Sequence, residues 1–274
     1  MGLEKKAIEI STLSVVTARP EDAILKAAKV MTRGWFRRLP VLEEGRVIGL
    51  VTARDVLKAI SEAIRPDAGR SCIIEALRKP LRSVLHAPPA VVDPYAPIKE
   101  VLETVLSTDA GAALVVGEDG RLLGIVTERD LLNALKDSVE VRESVEEIMT
   151  RDVRTLKPGD PVYMAVRGMV EGGFRRYPVV DEGGKLLGIV TARDLVALAS
   201  GCEEDVSAAD AFFGPVERVM TKNPLTVSPQ FGVMAAVRRT TEAGVGVLPV
   251  VTAGRLVGIV TEMDLLRAIA KHVE

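Results

Sequence analysis

The 274-residue chain carries 36 basic and 38 acidic residues, and the resulting net charge of −2 provides no basic field that would favour nucleic acid. Hydrophobic residues make up 47% of the chain, yet no apolar stretch reaches the ~18 residues that a membrane span needs and no secretory signal opens it, so we expect a soluble, cytoplasmic protein. The only two histidines and two cysteines lack metal-ligand spacing, which argues against a metal site or a histidine-based catalytic site, and the scarcity of Asn and Gln is typical of thermophile proteins.

The first elements along the chain predict a small α/β unit. Their order is strand, helix, strand and strand, and a further helix follows the last strand. The predicted elements are a strand at 13–17, a helix from about Pro20 through Met31, a strand at 36–42, a turn at 43–45 and a strand at 46–52.

The same order returns further along the chain and is clearest in its third copy. Val153–Leu156 predicts a strand that a Pro-Gly turn ends, and Val162–Glu171 predicts a helix that two glycines end. Phe174–Val180 and Lys185–Thr191 predict a hairpin whose second strand leads into another helix. Each copy is therefore expected to be a βαββα unit.

One motif, Gly-[Leu/Ile]-Val-Thr-x-[Arg/Met]-Asp, ends the third strand of every copy. It begins at Gly49, Gly124, Gly188 and Gly258. The intervals between successive motif glycines exceed the roughly 33 to 50 residues of the repeats in propellers and helical solenoids. Each repeat is therefore predicted to be a small domain.

The copies resemble cystathionine β-synthase (CBS) domains, which occur in pairs called Bateman modules. The resemblance rests on Met149-Thr150 and Met220-Thr221 ahead of the first strand, the Thr-h-x-Pro strand end (h is a hydrophobic residue), the Pro-Val pair of the second strand and the glycine motif. It implies an α/β fold of four tandem βαββα CBS domains that form two pseudo-twofold Bateman modules. The expected domains are 10–65, 78–140, 143–202 and 213–272, with polar linkers near 66–70 and 201–205 outside the cores.

A finer alternation distinguishes the odd copies from the even ones. Phe36-Arg37-Arg38 of the first copy returns as Phe174-Arg175-Arg176 in the third, whereas the second and fourth copies have glycine and small apolar residues there. The chain therefore resembles a duplicated pair, with modules at roughly 1–140 and 141–274.

The Thr-x-x-Asp step of the motif has two interpretations. It resembles a helix capping box, although Asp rather than Glu stands in all four copies. A carboxylate in the first turn of a helix can also accept hydrogen bonds from ribose hydroxyls, while a Thr hydroxyl and backbone N–H groups suit phosphate. The CBS resemblance implies these ligand contacts for Thr52 and Asp55, Thr127 and Asp130, Thr191 and Asp194, and Thr261 and Asp264.

The two arginine pairs, Arg37-Arg38 and Arg175-Arg176, also have two interpretations. Side chains alternate across a strand, so at least one arginine of each pair is expected to be exposed, and both pairs could simply guard a solvated strand edge. CBS proteins with four copies, such as the γ subunit of AMP-activated protein kinase, place basic residues at this step to contact phosphates. The resemblance therefore implies phosphate binding, assisted by the arginines of the Thr-x-Arg-Asp motifs.

A further set of threonines matches a family contact at the end of the first strand. These are Thr17, Thr155 and Thr226, each three residues before a proline. Val91 replaces this threonine in the second copy, and Met263 replaces the motif arginine in the fourth. We therefore expect unequal sites, with the first and third copies contributing most to phosphate recognition.

The resemblance implies a regulatory module that binds AMP, ADP or ATP as a regulatory ligand in clefts between paired copies. No phosphate-binding loop, dinucleotide fingerprint or serine elbow is present, and we expect no enzyme. The effector protein is expected to be a separate, unknown chain, and a homodimer through the CBS modules stays open. Two alternatives remain: a protein-interaction scaffold with vestigial pockets, and a binder of S-adenosylmethionine or another adenosine ligand. A nucleic-acid-binding regulator ranks last.

Overall fold

The computed structural model describes residues 3–64, 71–86, 88–202 and 206–273, and it has the predicted α/β organisation in four copies. Each copy contains a helix, a hairpin and a closing helix. The first helices are Ile24–Gly34, Ile98–Ser107, Val162–Gly172 and Val233–Ala243. The antiparallel hairpins are Arg38–Glu43 with Arg46–Thr52, Ala112–Val116 with Leu122–Thr127, Arg176–Val180 with Leu186–Thr191, and Val247–Thr252 with Arg255–Thr261. The closing helices are Ala53–Ala63, Glu128–Leu135, Ala192–Ser200 and Glu262–Ala270.

Shorter elements join the copies. The short helices are Ala7–Ile10, Ser71–Arg78, Val145–Ile148 and Val206–Asp210, and the 3-10 turns are Leu81–Ser83 and Val216–Arg218. The predicted linker at 66–70 lies outside the described residues. The linker predicted from 201 onward begins inside a core, because Cys202 is fully buried, so that part of the prediction is wrong. Within the described residues, no helix is both long and apolar enough to cross a membrane.

The predicted first strand is shorter than expected. It is reduced to single parallel bridges at Ala18, Leu156 and Val227, and among the described residues only the second copy keeps a two-residue strand at this place, Val91–Val92. The reason lies in the neighbouring strand, where Leu114 of the second copy donates its N–H to Ala90 O at 2.9 Å. The other copies have proline at that register position and cannot make this bond.

A segment ahead of each first strand crosses to the paired copy. Its bridging residue pairs with the residue two positions before the motif threonine of the partner, as Thr12 with Ile125, His86 with Leu50, Thr150 with Ile259 and Thr221 with Ile189. The motif glycine makes room for this crossing: a Cβ on Gly49 would lie 2.5 Å from the side chain of Leu85 and 2.7 Å from His86 O. The two copies of each module are thus joined reciprocally at their motif strands.

Two large helical cores hold the modules together. One core contains the apolar helix faces of the first and third copies, together with Ile73 and Leu77 of Ser71–Arg78, and the other contains those of the second and fourth copies. Within each module, small sheet clusters also pack the paired copies, such as Leu50 against Leu114 and Ile125. Both cores therefore cross from one module to the other, and the hairpin ends converge between them.

Candidate functional site: four clefts around a central charge cluster

Each Thr-x-x-Asp step forms a capping box at the start of its closing helix, which confirms the capping interpretation. The Asp Oδ2 atom accepts the Thr backbone N–H at 2.7 to 2.9 Å and the Thr hydroxyl at 2.7 to 2.8 Å. The other carboxylate oxygen, Oδ1, stays outside the cap. Capping therefore uses one oxygen of each carboxylate and leaves the second for other partners.

The four motif aspartates line four clefts, which we name the Asp55, Asp130, Asp194 and Asp264 clefts. Each cleft also contains the motif threonine and the crossing segment of the paired copy. The crossing residues that line the clefts are Thr12, His86, Thr150 and Thr221. The site predictions did not include these four residues, although Thr150 and Thr221 stand in the Met-Thr pairs that carry the family resemblance.

The predicted arginine pairs lie where the clefts converge. Arg37 and Arg38 both line the Asp130 cleft, and Arg175 and Arg176 both line the Asp264 cleft. Arg37 also lines the Asp55 and Asp194 clefts, and so does Arg175. Each cleft therefore combines residues of different copies: its aspartate belongs to one copy, and at least one of its guanidinium groups belongs to another.

Two buried glutamates lie among these arginines, and the six residues form what we call the central cluster: Arg37, Arg38, Arg175, Arg176, Glu128 and Glu262. Glu128 accepts from Arg38 Nη2 at 2.5 Å and lies 3.5 Å from Arg175 Nη2. Glu262 accepts from Arg37 Nη2 at 3.1 Å, and Arg129 contacts it from outside the cluster at 2.8 Å. The Arg37–Glu262 and Arg175–Glu128 pairs join the first module to the second.

The expected exposure of one arginine in each pair is wrong for both pairs. Arg38 is 7% exposed, and the Arg37 side chain is 16% exposed. The Arg175 side chain is 18% exposed, and Arg176 is half-buried. The alternation of side chains exposes one face of a strand only where that face of the sheet meets solvent. The strand ends that carry the arginines lie where the copies meet, and both of their faces are covered. These arginines are therefore not guards of a solvated edge.

Glycines of the even copies make room for the cluster. A Cβ on Gly111 would lie 2.2 Å from Glu128 Oε1, and a Cβ on Gly246 would lie 2.9 Å from both Arg176 Nη2 and Glu262 Oε2. The sequence contains a signal for the two glutamates that the predictions missed: the residue after the motif threonine alternates as Ala53, Glu128, Ala192 and Glu262. This alternation is complementary to that of the arginine pairs.

The electrostatics of the cluster favour a further anion. Burial lowers the pKa of Arg175 to about 10 and that of Arg176 to about 9, so both remain charged at neutral pH. Burial alone would raise the pKa of Glu128, but the charges of Arg38, Arg175 and Arg37 bring it below its usual value. Four guanidinium groups thus face two carboxylates within the cluster, which leaves an excess of positive charge where the clefts meet.

Burial changes the pKa of two of the cleft aspartates. Burial raises the pKa of Asp130 and of Asp194, and the hydrogen bonds from the capping threonines oppose this effect. A carboxylate that has lost hydration gains more from a ligand hydroxyl than an exposed one does. Both groups are therefore suited to accept hydrogen bonds from a ligand in the cleft.

The structure does not bring the first-strand threonines into the four clefts. Thr17 is exposed and lines a separate hollow with Asp22 and Glu43, Thr155 is exposed, and Thr226 is half-buried. Each directly precedes the bridging residue of its copy. A role for these three threonines in binding stays a prediction.

Trp35 is the single tryptophan of the chain and lines both the Asp130 and Asp194 clefts. Its side chain is exposed, and its ring lies under the guanidinium of Arg193 at 5.5 Å. Trp35 ends its helix with a left-handed φ of 56°, where the third and fourth copies have glycines with φ of 70° and 67°. An exposed, strained aromatic residue beside two clefts makes its fluorescence a reporter of both.

The strain at Trp35 gives a stability prediction. We expect Trp35→Gly to be more stable than Trp35→Ala by about 1 kcal/mol, because both lose the ring but only glycine adopts the left-handed conformation without a steric cost. Urea unfolding of the two variants measures this difference. Equal free energies of unfolding would show that the backbone at this helix end relaxes and stores no strain.

Comparisons with known proteins agree with this architecture. The family model of the CBS domain matches the sequence at residues 7–62, 81–137, 145–201 and 216–271. The chain therefore belongs to the CBS domain family, as the repeats predicted.

Its relatives include proteins that it matches over most of their length. The uncharacterized protein MJ1225 of Methanocaldococcus jannaschii is 30% identical over 93% of this chain and 95% of its own length. The crystal structure of MJ1225, proposed to be an archaeal homologue of γ-AMPK, matches 96% of this chain and 99% of its own with a TM-score of 0.85 at 28% identity. An uncharacterized 33.4 kDa protein of Thermofilum pendens is 32% identical over 89% of this chain and 84% of its own.

Half of the chain also matches a solved CBS pair. The crystal structure of CBSX2 in complex with AMP covers 47% of this chain and 96% of its own, at 31% identity and a TM-score of 0.42.

Proposed function

We propose that this protein is a regulatory, non-catalytic module that binds AMP, ADP or ATP in its clefts and acts on a separate effector protein in the cytoplasm. Nucleotide binding would act on the effector only to the extent that the nucleotide favours one conformation of the protein over another. Membership of the CBS family and the geometry of the clefts support the proposal.

The main support for the proposal is that capping uses only one of the two carboxylate oxygens of the cleft aspartates. In Asp130, Asp194 and Asp264, every hydrogen bond that the carboxylate accepts from the described part of the chain uses Oδ2. The Oδ1 atom thus remains available to accept ribose hydroxyls, and the first turn of the closing helix offers a favourable dipole to phosphate. Capping and ligand binding therefore coexist on one side chain.

The central cluster supports a phosphate-bearing ligand in particular. Its excess of guanidinium groups provides donors in the planar geometry that suits phosphate oxygens. S-adenosylmethionine carries a sulfonium cation and no phosphate, so the same cluster disfavours it. We therefore propose an adenine nucleotide in preference to S-adenosylmethionine.

Calorimetric titration with AMP, ADP, ATP and S-adenosylmethionine tests this proposal directly. Protein that has first been shown to be free of ligand should release or absorb heat with at least one nucleotide, and Trp35 fluorescence should change over the same concentrations. A protein that binds none of these compounds would instead fit the interaction scaffold with vestigial pockets.

Asp130→Asn separates ligand binding from capping. Asparagine keeps one oxygen for the Thr127 N–H but presents an amide donor in place of the second carboxylate oxygen. We expect the nucleotide affinity of the Asp130 cleft to fall about tenfold or more, because hydrogen bonds to a charged acceptor are lost. The free energy of unfolding should change by no more than about 1 kcal/mol.

The matched control is Asp160→Asn. Asp160 Oδ2 accepts the Lys157 N–H at 2.7 Å, in the same three-residue spacing but away from the four clefts. This variant should bind nucleotide as the wild type does. A scaffold function predicts that both variants differ from the wild type in stability alone.

A further inference from the structure

The Asp55 cleft differs from the other three in its crossing residue. Thr12, Thr150 and Thr221 occupy this position in the Asp130, Asp264 and Asp194 clefts, and His86 occupies it in the Asp55 cleft. The imidazole is larger than the threonine side chain and can donate a hydrogen bond from Nδ1. The exception occurs in only one of four equivalent positions.

His86 contacts the carboxylate oxygen that the other clefts leave free. Its Nδ1 atom lies 3.0 Å from Asp55 Oδ1, while Asp55 Oδ2 takes part in the capping box with Thr52. Both oxygens of Asp55 are therefore engaged within the protein. Consistent with this cover, Asp55 is 2% exposed, whereas the other three motif aspartates are half-buried.

The histidine itself is not locked into a core. Its side chain is 68% exposed and lies at the surface of the cleft. A ligand hydroxyl must displace the His86 imidazole from Asp55 Oδ1 rather than simply add a partner, and the free energy of that contact is lost from binding. The contact thus opposes binding without closing the cleft permanently.

We propose that His86 competes with the ligand for Asp55 and makes this cleft the weak site, so that nucleotide fills the other three clefts first. This inference rests on the proposed function and assigns a different affinity to one of its sites. The equivalent cleft of the second module, with Asp194 and Thr221, keeps its free oxygen and binds nucleotide at lower concentration.

AMP titration followed by two spectroscopic probes tests the order of filling. Trp35 fluorescence reports the Asp130 and Asp194 clefts, and the ring ¹⁵N signals of His86 report the Asp55 cleft. We expect Trp35 to reach saturation while the His86 signals are still unchanged, and the His86 signals to move only at AMP concentrations about tenfold higher or more. Simultaneous changes of both probes would overturn the inference.

Exchanging the two crossing residues provides the second test. His86→Thr should tighten AMP binding at the Asp55 cleft about tenfold or more, and Thr221→His should weaken the Asp194 cleft by a similar factor. His272→Thr, which removes the only other histidine, should leave AMP binding unchanged. Because His86 is exposed, the first variant is expected to fold as the wild type does.

The outcomes distinguish the inference from the proposed function. If the wild type binds AMP and His86→Thr binds it equally well or more weakly, His86 does not compete with the ligand and the inference is rejected alone. If neither protein binds AMP, ADP or ATP, the proposed function is rejected and the inference with it.

Discussion

Glu128→Gln is expected to destabilise the protein by roughly 3 kcal/mol, because it removes one partner of a buried ion pair and leaves the other charge uncompensated. Glu128 and Arg38 are both almost fully buried, and Arg175 loses its carboxylate neighbour in the same substitution. Glutamine has nearly the same shape, so the loss of charge dominates the effect. Urea unfolding measures the change in free energy.

An anion added to the solution should restore part of the stability that Glu128→Gln loses. In the variant, four buried or partly buried guanidinium groups face only one carboxylate of the central cluster, and a phosphate group can take the vacant charge. We therefore expect inorganic phosphate or AMP to raise the melting temperature of Glu128→Gln more than that of the wild type. An equal rise in both proteins would contradict a phosphate site at the cluster.

The control for this substitution is an exposed ion pair. Glu43 contacts Arg82 at 2.7 Å, but about half of each side chain is exposed. Glu43→Gln should cost less than about 1 kcal/mol, since water screens such pairs. If Glu43→Gln and Glu128→Gln destabilise the protein equally, burial of the central cluster does not determine its contribution.

Gly49→Ala is expected to destabilise the protein by roughly 2 kcal/mol through overpacking. The added methyl would lie 2.5 Å from Leu85 Cδ1 and 2.7 Å from His86 O, and the backbone oxygen cannot move without disturbing the crossing segment. The substitution should therefore loosen the first and second copies where they join. Urea unfolding and amide hydrogen exchange of the motif strand measure the effect.

Gly159→Ala is the matched control, because a Cβ at Gly159 meets nothing within 4 Å and its φ is not left-handed. Alanine there should leave stability unchanged or raise it by about 0.5 kcal/mol, by restricting the unfolded chain. A similar loss in both variants would show that glycine flexibility, and not the close approach of Leu85, explains the motif glycine.

Local sequence signals were sufficient for the repeated unit and for the four capping boxes. The hairpins and helices depend on nearby turn and capping residues, such as Thr191 with Asp194. The length of the first strand was harder to predict. It depends on the residue at one position of the neighbouring strand, which is Leu114 in the second copy and a proline in the other copies.

The central cluster could not be predicted from local patterns. Arg37 and Glu262 are 225 residues apart, and Arg38 and Glu128 are 90 residues apart. Their meeting depends on how the copies pack, which strand periodicity does not describe. The His86–Asp55 contact has the same origin, because the crossing segment brings a residue of the second copy to the motif of the first.

The two cores shared between the modules also bear on how such a chain diverges. Because each core is built from equivalent halves, one module present twice could form the same arrangement as a pair of identical subunits. In such a pair every substitution would occur in both halves. Covalent fusion removes this constraint: one half can have His86 while the other keeps Thr221, and a graded response to ligand concentration can evolve within a single polypeptide.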